Sequence, residues 1–220
     1  MAPLPPILAQ RFVAALGTGG KRERTRAQLV HAAAHVFADR GWSQATMAQV
    51  GEAAGVTTGT VYNHFASKEE IAQALSLALA ASVNQAIVAS LDNVSDAAQR
   101  MAIGQRRFIW LAAESPSWSL LLLEMAAVAP EHMREVEQDA LRDLRLGVRQ
   151  KRFRIPSEES AMEVVTGVVQ AAMRRVAAGA APARHDVACA ALVLRALGMD
   201  AAEAMEIARR PLPDLPPLQG

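Results

Sequence analysis

The sequence predicts an all-α protein: a small three-helix helix-turn-helix unit followed by a larger helical domain. Three observations carry that prediction. Hydrophobic residues make up 51% of the 220 residues but aromatics only 4%; much of the apolar content is alanine, the strongest helix former, whereas strands would want Val, Ile, Tyr and Thr. From Leu29 onward, apolar residues fall at three- and four-residue spacing. Two of these stretches open on Ser or Thr followed three residues later by Glu or Gln, the capping-box signature.

Taken in order, residues 1–20 are Pro-rich at one end and Gly-rich at the other. They are expected to form a flexible arm, although Ile7, Leu8, Phe12 and Leu16 are spaced to line one face of a short helix. Leu29, Val30, Ala33, Val36 and Phe37 form one stripe on a helix from Lys21 to about Gly41. Thr46 and Gln49 box the start of a short helix that Gly55 stops. Thr57 caps a third helix to about Phe65, and Ser67 with Glu70 boxes a long one reaching about Leu91. Ser95 is the expected cap of a helix to Glu114, Pro116 suits the first turn of the next, and Pro130 opens another ending before Pro156. Ser157 caps a helix to Gly179, and a last one runs from Ala183 or Arg184 to Pro211. The expectation is thus about nine helices, divided into a unit at 21–67 and a domain at 68–210. A tail at 211–220, whose prolines cannot propagate a helix, is read as extended or mobile.

Charge is nearly balanced, 23 basic against 22 acidic residues, so any nucleic-acid surface must be local. The single cysteine, Cys189, excludes a disulfide within the chain and a Cys-based zinc site; in its Ala-rich surroundings it reads as a small buried residue. No apolar run reaches roughly 18 residues and the N-terminus lacks a charged leader region, so a soluble, cytoplasmic protein is expected. There is no G-x-S-x-G, phosphate-binding glycine loop, H-E-x-x-H or usable Cys–His pairing, which argues against an enzyme. No cofactor is expected. His31 and His35 have metal-capable spacing but no third ligand, and read as a solvated pair; no metal is expected.

The informative segment is TMAQVGEAAGVTTGTVYNHF, residues 46–65. Small Gly51 and Ala54 sit where two helices approach, and Val50, Val56 and Val61 fall where they share a core. This is the layout of a helix-turn-helix, whose second helix enters the major groove. That second helix is polar on one side, with Thr57, Thr58, Thr60, Asn63 and His64. Asparagine can pair bidentately with adenine, Gly59 permits close backbone approach, and Tyr62 carries a hydroxyl for the backbone. Residues 21–68 hold six basic and three acidic side chains, a local +3. Four of those bases cluster at Lys21–Arg26, where Arg22 and Arg24 could grip phosphate.

Arg26, the run LVHAAAHVF, Gly41-Trp42, Thr46, AGVTTGTVYNHF and SKEEI together resemble the N-terminal domain of the TetR family of transcriptional regulators. The resemblance implies that Thr46 and Lys68 contact phosphates, that Thr57 to His64 form the recognition helix, and that Tyr62 lies at the DNA backbone. The chain departs from the family at Gly51, where alanine is usual, and at Thr58 and Asn63, where many members are basic. The departures leave the operator sequence open.

The resemblance also implies a C-terminal domain that dimerises and encloses a small effector. Met101, Phe108, Trp110, Trp118 and Met125 are candidate walls of a largely apolar pocket, against which the alternative is plain packing. Arg106, Glu114, Glu124 and Glu163 are candidates to orient a polar group, or else face water. On the last two predicted helices, Val165, Val168 and Ala172, and Val187, Ala191 and Leu194, form stripes suited to a four-helix dimer bundle or to a buried intrachain pair. The expectation is a homodimeric repressor of a palindromic operator, released when an effector shifts the helix at 68–91 and moves the recognition helices from about 34 Å apart. The contrasting readings are a constitutive or architectural DNA-binding protein without effector, and a helical adaptor that no longer binds DNA.

Overall fold

The computed structural model describes residues 6–15, 19–128 and 134–216, and among them eleven helices. They are α1 (Pro6–Ala15), α2 (Lys21–Arg40), α3 (Met47–Ala53), α4 (Thr58–Tyr62), α5 (Lys68–Ala89), α6 (Ala97–Glu114), α7 (Pro116–Val128), α8 (Arg134–Arg149), α9 (Glu158–Ala177), α10 (His185–Ala196) and α11 (Ala201–Arg209). Pro130, expected to open a helix, and Leu16 lie outside the described residues.

The caps at Thr46, Thr57, Ser67 and Ser157 form as the sequence predicts, each hydroxyl accepting the backbone N–H three residues on. At α6 the cap is Asp96, not Ser95: its carboxylate accepts from the Ala98 N–H at 3.1 Å. The last predicted helix is two. Gly198, at φ +93°, turns the chain where a Cβ would stand 2.8 Å from the Arg154 carbonyl. Asp200 then caps α11 through the N–H groups of Ala202 and Glu203 at 2.8 and 3.2 Å.

The flexible arm expected over residues 1–20 is corrected by α1, which packs along α5. Leu8 and Phe12 are each 2% exposed, and the Phe12 ring meets Trp118 edge-on at 5.7 Å. Burying two large side chains offsets the ordering of a short helix that would not stand alone. The tail is held too, although its prolines exclude a helix. Proline-rich backbone leaves carbonyls without N–H partners, and three arginines take them. Arg106 donates to the Arg210 carbonyl at 2.6 Å, Arg107 to that of Pro213, and Arg11 to that of Pro216 at 3.0 Å. Leu212 and Leu215 pack on the core beside them.

One apolar core runs without a break from α2, α3 and α4 through α5 into α7. A second fills the space between α6 and α8–α11. The helix joining the two halves is α5, and it corrects the expectation that no apolar run is long enough for a bilayer. An 18-residue stretch within its 22 residues reaches a mean hydropathy of 1.5, enough by length and composition, but 61% of that stretch is buried inside the protein. Its apolarity serves packing against α1, α2, α7 and α8.

Candidate nucleic-acid interface and effector cavity

The helix-turn-helix is fixed by its smallest residues. Gly51 is buried, and a Cβ there would lie 3.1 Å from both the Val56 carbonyl and the Val61 side chain, so α3 and the turn approach as closely as backbone permits. The Val56 N–H donates to the Gly51 carbonyl at 2.9 Å, closing the turn at Gly55, whose φ is +69°. Val50 and Val61 are fully buried, Phe65 and Phe37 nearly so. Gln28 on α2 donates to the Ala54 carbonyl at 2.6 Å, tying the first helix to the end of α3.

With its apolar side anchored, α4 turns the other outward. Thr57, Thr58, Gly59, Tyr62 and Asn63 are exposed, Tyr62 at 55%; Thr60 and His64 are half-buried. The Thr57 and Thr60 hydroxyls bond each other at 3.0 Å while Thr57 caps the helix, which leaves Thr58, Tyr62 and Asn63 as the free polar groups of the face. A Cβ on Gly59 would touch only the Thr57 hydroxyl, at 3.8 Å; outward the backbone is bare. Arg22 and Arg24 are exposed on the first turn of α2, and Arg26 lies 4.3 Å over the Phe65 ring. Thr46 is exposed, its hydroxyl accepting from the Gln49 N–H at 3.3 Å and Gln49 accepting from the Thr46 N–H at 3.0 Å. Lys68 does more than the sequence foretold. Its ammonium donates to the Trp42 carbonyl at 2.7 Å and the Ala45 carbonyl at 3.1 Å, and stands 4.4 Å over the Trp42 ring.

The larger domain contains a cavity of about 500 Å³ between α5, α6, α7, α8 and α9. Of the five residues expected to line a pocket, Met101 and Phe108 do. Trp110 instead packs against Arg107, whose guanidinium lies 5.5 Å over its ring. Trp118 meets Phe12 and His35, and Met125 is fully buried in the core. The spacing of these residues told that they were inside, but not on which side of a helix the space lay. His31 and His35 are both exposed, as a solvated pair should be, and their rings meet edge-on at 4.8 Å beside that aromatic group; partial burial, with His31 nearby, lowers the His35 pKa.

Polar wall residues of the cavity were missed. Arg100 donates to Asp143 at 2.6 Å and to the Leu91 and Val94 carbonyls. Asn84 and Arg142 both bond Asp139. Burial pushes the Asp143 carboxyl above its ordinary range, while the Arg100 hydrogen bond pulls it partly back. Gln105, 4% exposed, donates from its amide nitrogen to the Val165 carbonyl at 2.9 Å. The one signal that could have found them is α8, where Asp139, Asp143 and Leu146 share a face at four- and three-residue spacing. Arg106, which the sequence offered as a pocket residue, pairs with Asp186 at 2.8 Å. Glu163 borders a separate groove with Glu159, and neither Glu114 nor Glu124 lines the cavity.

The residues expected to form a dimer face turn inward. Val165, Ala172, Val187, Ala191 and Leu194 are buried and Val168 half-buried within one chain; Ile109 on α6 packs with Ala172 and Cys189, and Val165 lines the cavity. The heavier stripe of each helix was taken by the intrachain core. The opposite stripe stays open, with Gly167 and Ala171 on α9, Ala188 and Leu192 on α10, and Leu192 56% exposed.

Residues 29–75 match the model of bacterial regulatory proteins of the tetR family, and residues 96–210 that of the tetracyclin repressor-like C-terminal domain. The chain is 45% identical over 58 residues to the transcriptional regulator TtgR of Pseudomonas putida, covering 26% of this chain and 28% of TtgR. It is 39% identical over 56 residues to the transcriptional repressor KstR2 of Mycobacterium tuberculosis, covering 26% of this chain and 28% of KstR2. The chain thus spans about a quarter of the length of these curated relatives. Across the whole fold it is similar to RolR in complex with resorcinol, with a TM-score of 0.75 and 34% identity over 89% of this chain and 98% of RolR. With a DNA-reading unit and a C-terminal domain both matched, the chain belongs to the TetR family of transcriptional regulators.

Proposed function

We propose that the protein is a cytoplasmic repressor that binds a pseudo-palindromic operator as a homodimer and leaves it when a small molecule enters the α5–α9 cavity. The observation carrying this reading is α5 itself. Its first residue, Lys68, holds the loop between α2 and α3, while Asn84, Ile87 and Val88 near its other end form part of the cavity wall. A ligand that displaces that end moves the reading head, because the core linking them is continuous.

On DNA, Thr58, Asn63 and Tyr62 meet base edges and backbone, Gly59 admits a phosphate, and Arg22, Arg24, Thr46 and the remaining donor of Lys68 hold phosphates. One five-residue helix reads few bases, so two copies are required for a specific site. The open faces of α9 and α10 around Ala171 and Leu192 supply the pairing surface, their small residues allowing close approach. The RolR complex, at 34% identity over nearly its whole length, supports a small-molecule effector, and KstR2 supports repression.

The test is selection of bound duplexes from a genomic pool by the purified protein at low and moderate salt. Enrichment of a pseudo-palindrome is expected. Binding without enrichment that collapses with salt would mean phosphate contact alone and an architectural role.

A further inference from the structure

The polar groups in the cavity wall point to the chemistry of its ligand. On the effector-cavity reading above, we propose that the effector is a neutral molecule with a hydroxyl or N–H donor on an apolar ring-sized body, and that Gln105 accepts its hydrogen bond.

Gln105 is nine-tenths buried, and its orientation is set by its own nitrogen: that group donates to the Val165 carbonyl at 2.9 Å, and a flipped amide would set two acceptors face to face. The carbonyl oxygen Oε1 is then buried with no hydrogen-bond partner. A buried acceptor left unpaired destabilises a fold, and proteins keep such groups where a ligand completes them.

Two of the three cationic groups nearby are already engaged. Arg100 is held by Asp143 and by two carbonyls, and Arg142 by Asp139. Three acidic and three basic side chains face or rim the space, Glu137, Asp139 and Asp143 against Arg100, Arg142 and Arg149, so no net positive field favours an anion. The remaining wall is largely apolar, with Met101, Phe108, Leu122 and Met173 beside the polar Asn84, Thr166 and Gln170, and suits the faces of a ring. The wall therefore gives Gln105 Oε1 no donor, and its one unpaired cation among the described residues, Arg149, is exposed to water.

Calorimetric titration of the full-length protein with matched probes tests this: phenol and resorcinol as donors, 1,3-dimethoxybenzene as the same body without a donor, and benzoate as the anion. The hydroxylated probes are expected to bind about tenfold or more tightly than the dimethoxy ether, the value of one well-made hydrogen bond, and to weaken operator binding. Gln105→Met, which keeps the volume, should cost the hydroxylated probes about the same factor and leave the ether unchanged. The comparison of probes on the unaltered protein stands even if that variant does not fold. Equal or tighter binding of the ether or of benzoate overturns the donor assignment while leaving the effector cavity in place. If none of the probes binds, the donor assignment fails while the effector cavity is left in place.

Discussion

Replacing Lys68 with methionine separates two roles that the sequence merges. A cation on the first turn of a helix faces the positive end of the dipole and is unfavourable there, so something must repay its position. The repayment is local: two carbonyls at 2.7 and 3.1 Å and a ring at 4.4 Å. Hydrogen bonds from a charged donor contribute about 1.5–3 kcal/mol each when buried, but Ser43 and Gln44 beside these carbonyls are exposed and water can replace the lost donor. The pair is therefore worth about 1.5–2 kcal/mol in all, and the ring contact about 0.5–1. Methionine keeps the aliphatic stem, so the loss of about 2–3 kcal/mol should lower Tm by about 4–12 °C in a chain of this size. Thermal melts by circular dichroism measure that term, and operator titrations at several salt concentrations measure the other. If the third N–H of Lys68 holds a phosphate, the slope of log affinity against log salt falls by about one per subunit. An unchanged Tm would refute the loop-holding argument; a lowered Tm with an unchanged salt slope would confine Lys68 to structure.

Three further outcomes test other parts of the molecule. Phe12→Ala removes a ring 2% exposed between α1, α2 and α7 and should cost about 3–5 kcal/mol in urea unfolding; a loss under about 1 kcal/mol would mean that α1 contributes little to the fold. Leu192→Glu, at a site 56% exposed, should leave the subunit's stability within about 0.5 kcal/mol yet yield monomers in sedimentation and abolish operator binding; an intact dimer would move the interface elsewhere. Asp143 is raised by burial, so the protonated form is favoured in the folded state. Its stabilising contribution is full below about pH 3.9 and is lost as pH rises through the raised value. Asp143→Asn should flatten that part of the Tm–pH profile, and an unaltered profile would contradict the assignment.

The helix-turn-helix was almost fully legible because its determinants are local. Thr46 with Gln49, Gly55, Thr57 and Ser67 each fix backbone within four residues, and the sequence contains both partners of each bond. The two departures have the opposite cause. That α1 is a helix depends on Phe12 finding Trp118, more than a hundred residues away, and that the tail is ordered depends on Arg11, Arg106 and Arg107. The stripes expected at a dimer face are buried within the chain because apolar periodicity marks which stripe is buried but not against what: Leu194 and Val187 satisfy an intrachain core, and the weaker stripe of Ala171, Ala188 and Leu192 stays open, the face proposed above for pairing. The cavity was legible only at Met101 and Phe108 for a related reason. A cavity is bounded by several helices at once, and Gln105 and Asp143 join it only through tertiary packing.

Coupling between cavity and operator can be bounded from the same geometry. To weaken operator binding a hundredfold, the effector must prefer the released state by about 2.7 kcal/mol, which one hydrogen bond at Gln105 and the burial of a ring face can supply between them. On the proposed mechanism the displaced element is α5, which among the described residues is the helix that both lines the cavity and carries a side chain bonded to the loop before α3. It is rich in small residues, with Ala72, Ala78, Ala80 and Ala86 buried along it, so it meets its neighbours with few large knobs to lock it against sliding. Behind it α1 is packed along its length, and any slide must carry α1 or slip past it. Linkage then demands reciprocity: saturating operator must weaken effector binding by the same factor that saturating effector weakens operator binding. Calorimetric titration of a binding probe with and without excess operator duplex measures it directly. A probe that binds free and DNA-bound protein equally has no leverage on α5, and an effector that releases DNA without being weakened by it would place the action outside this equilibrium altogether.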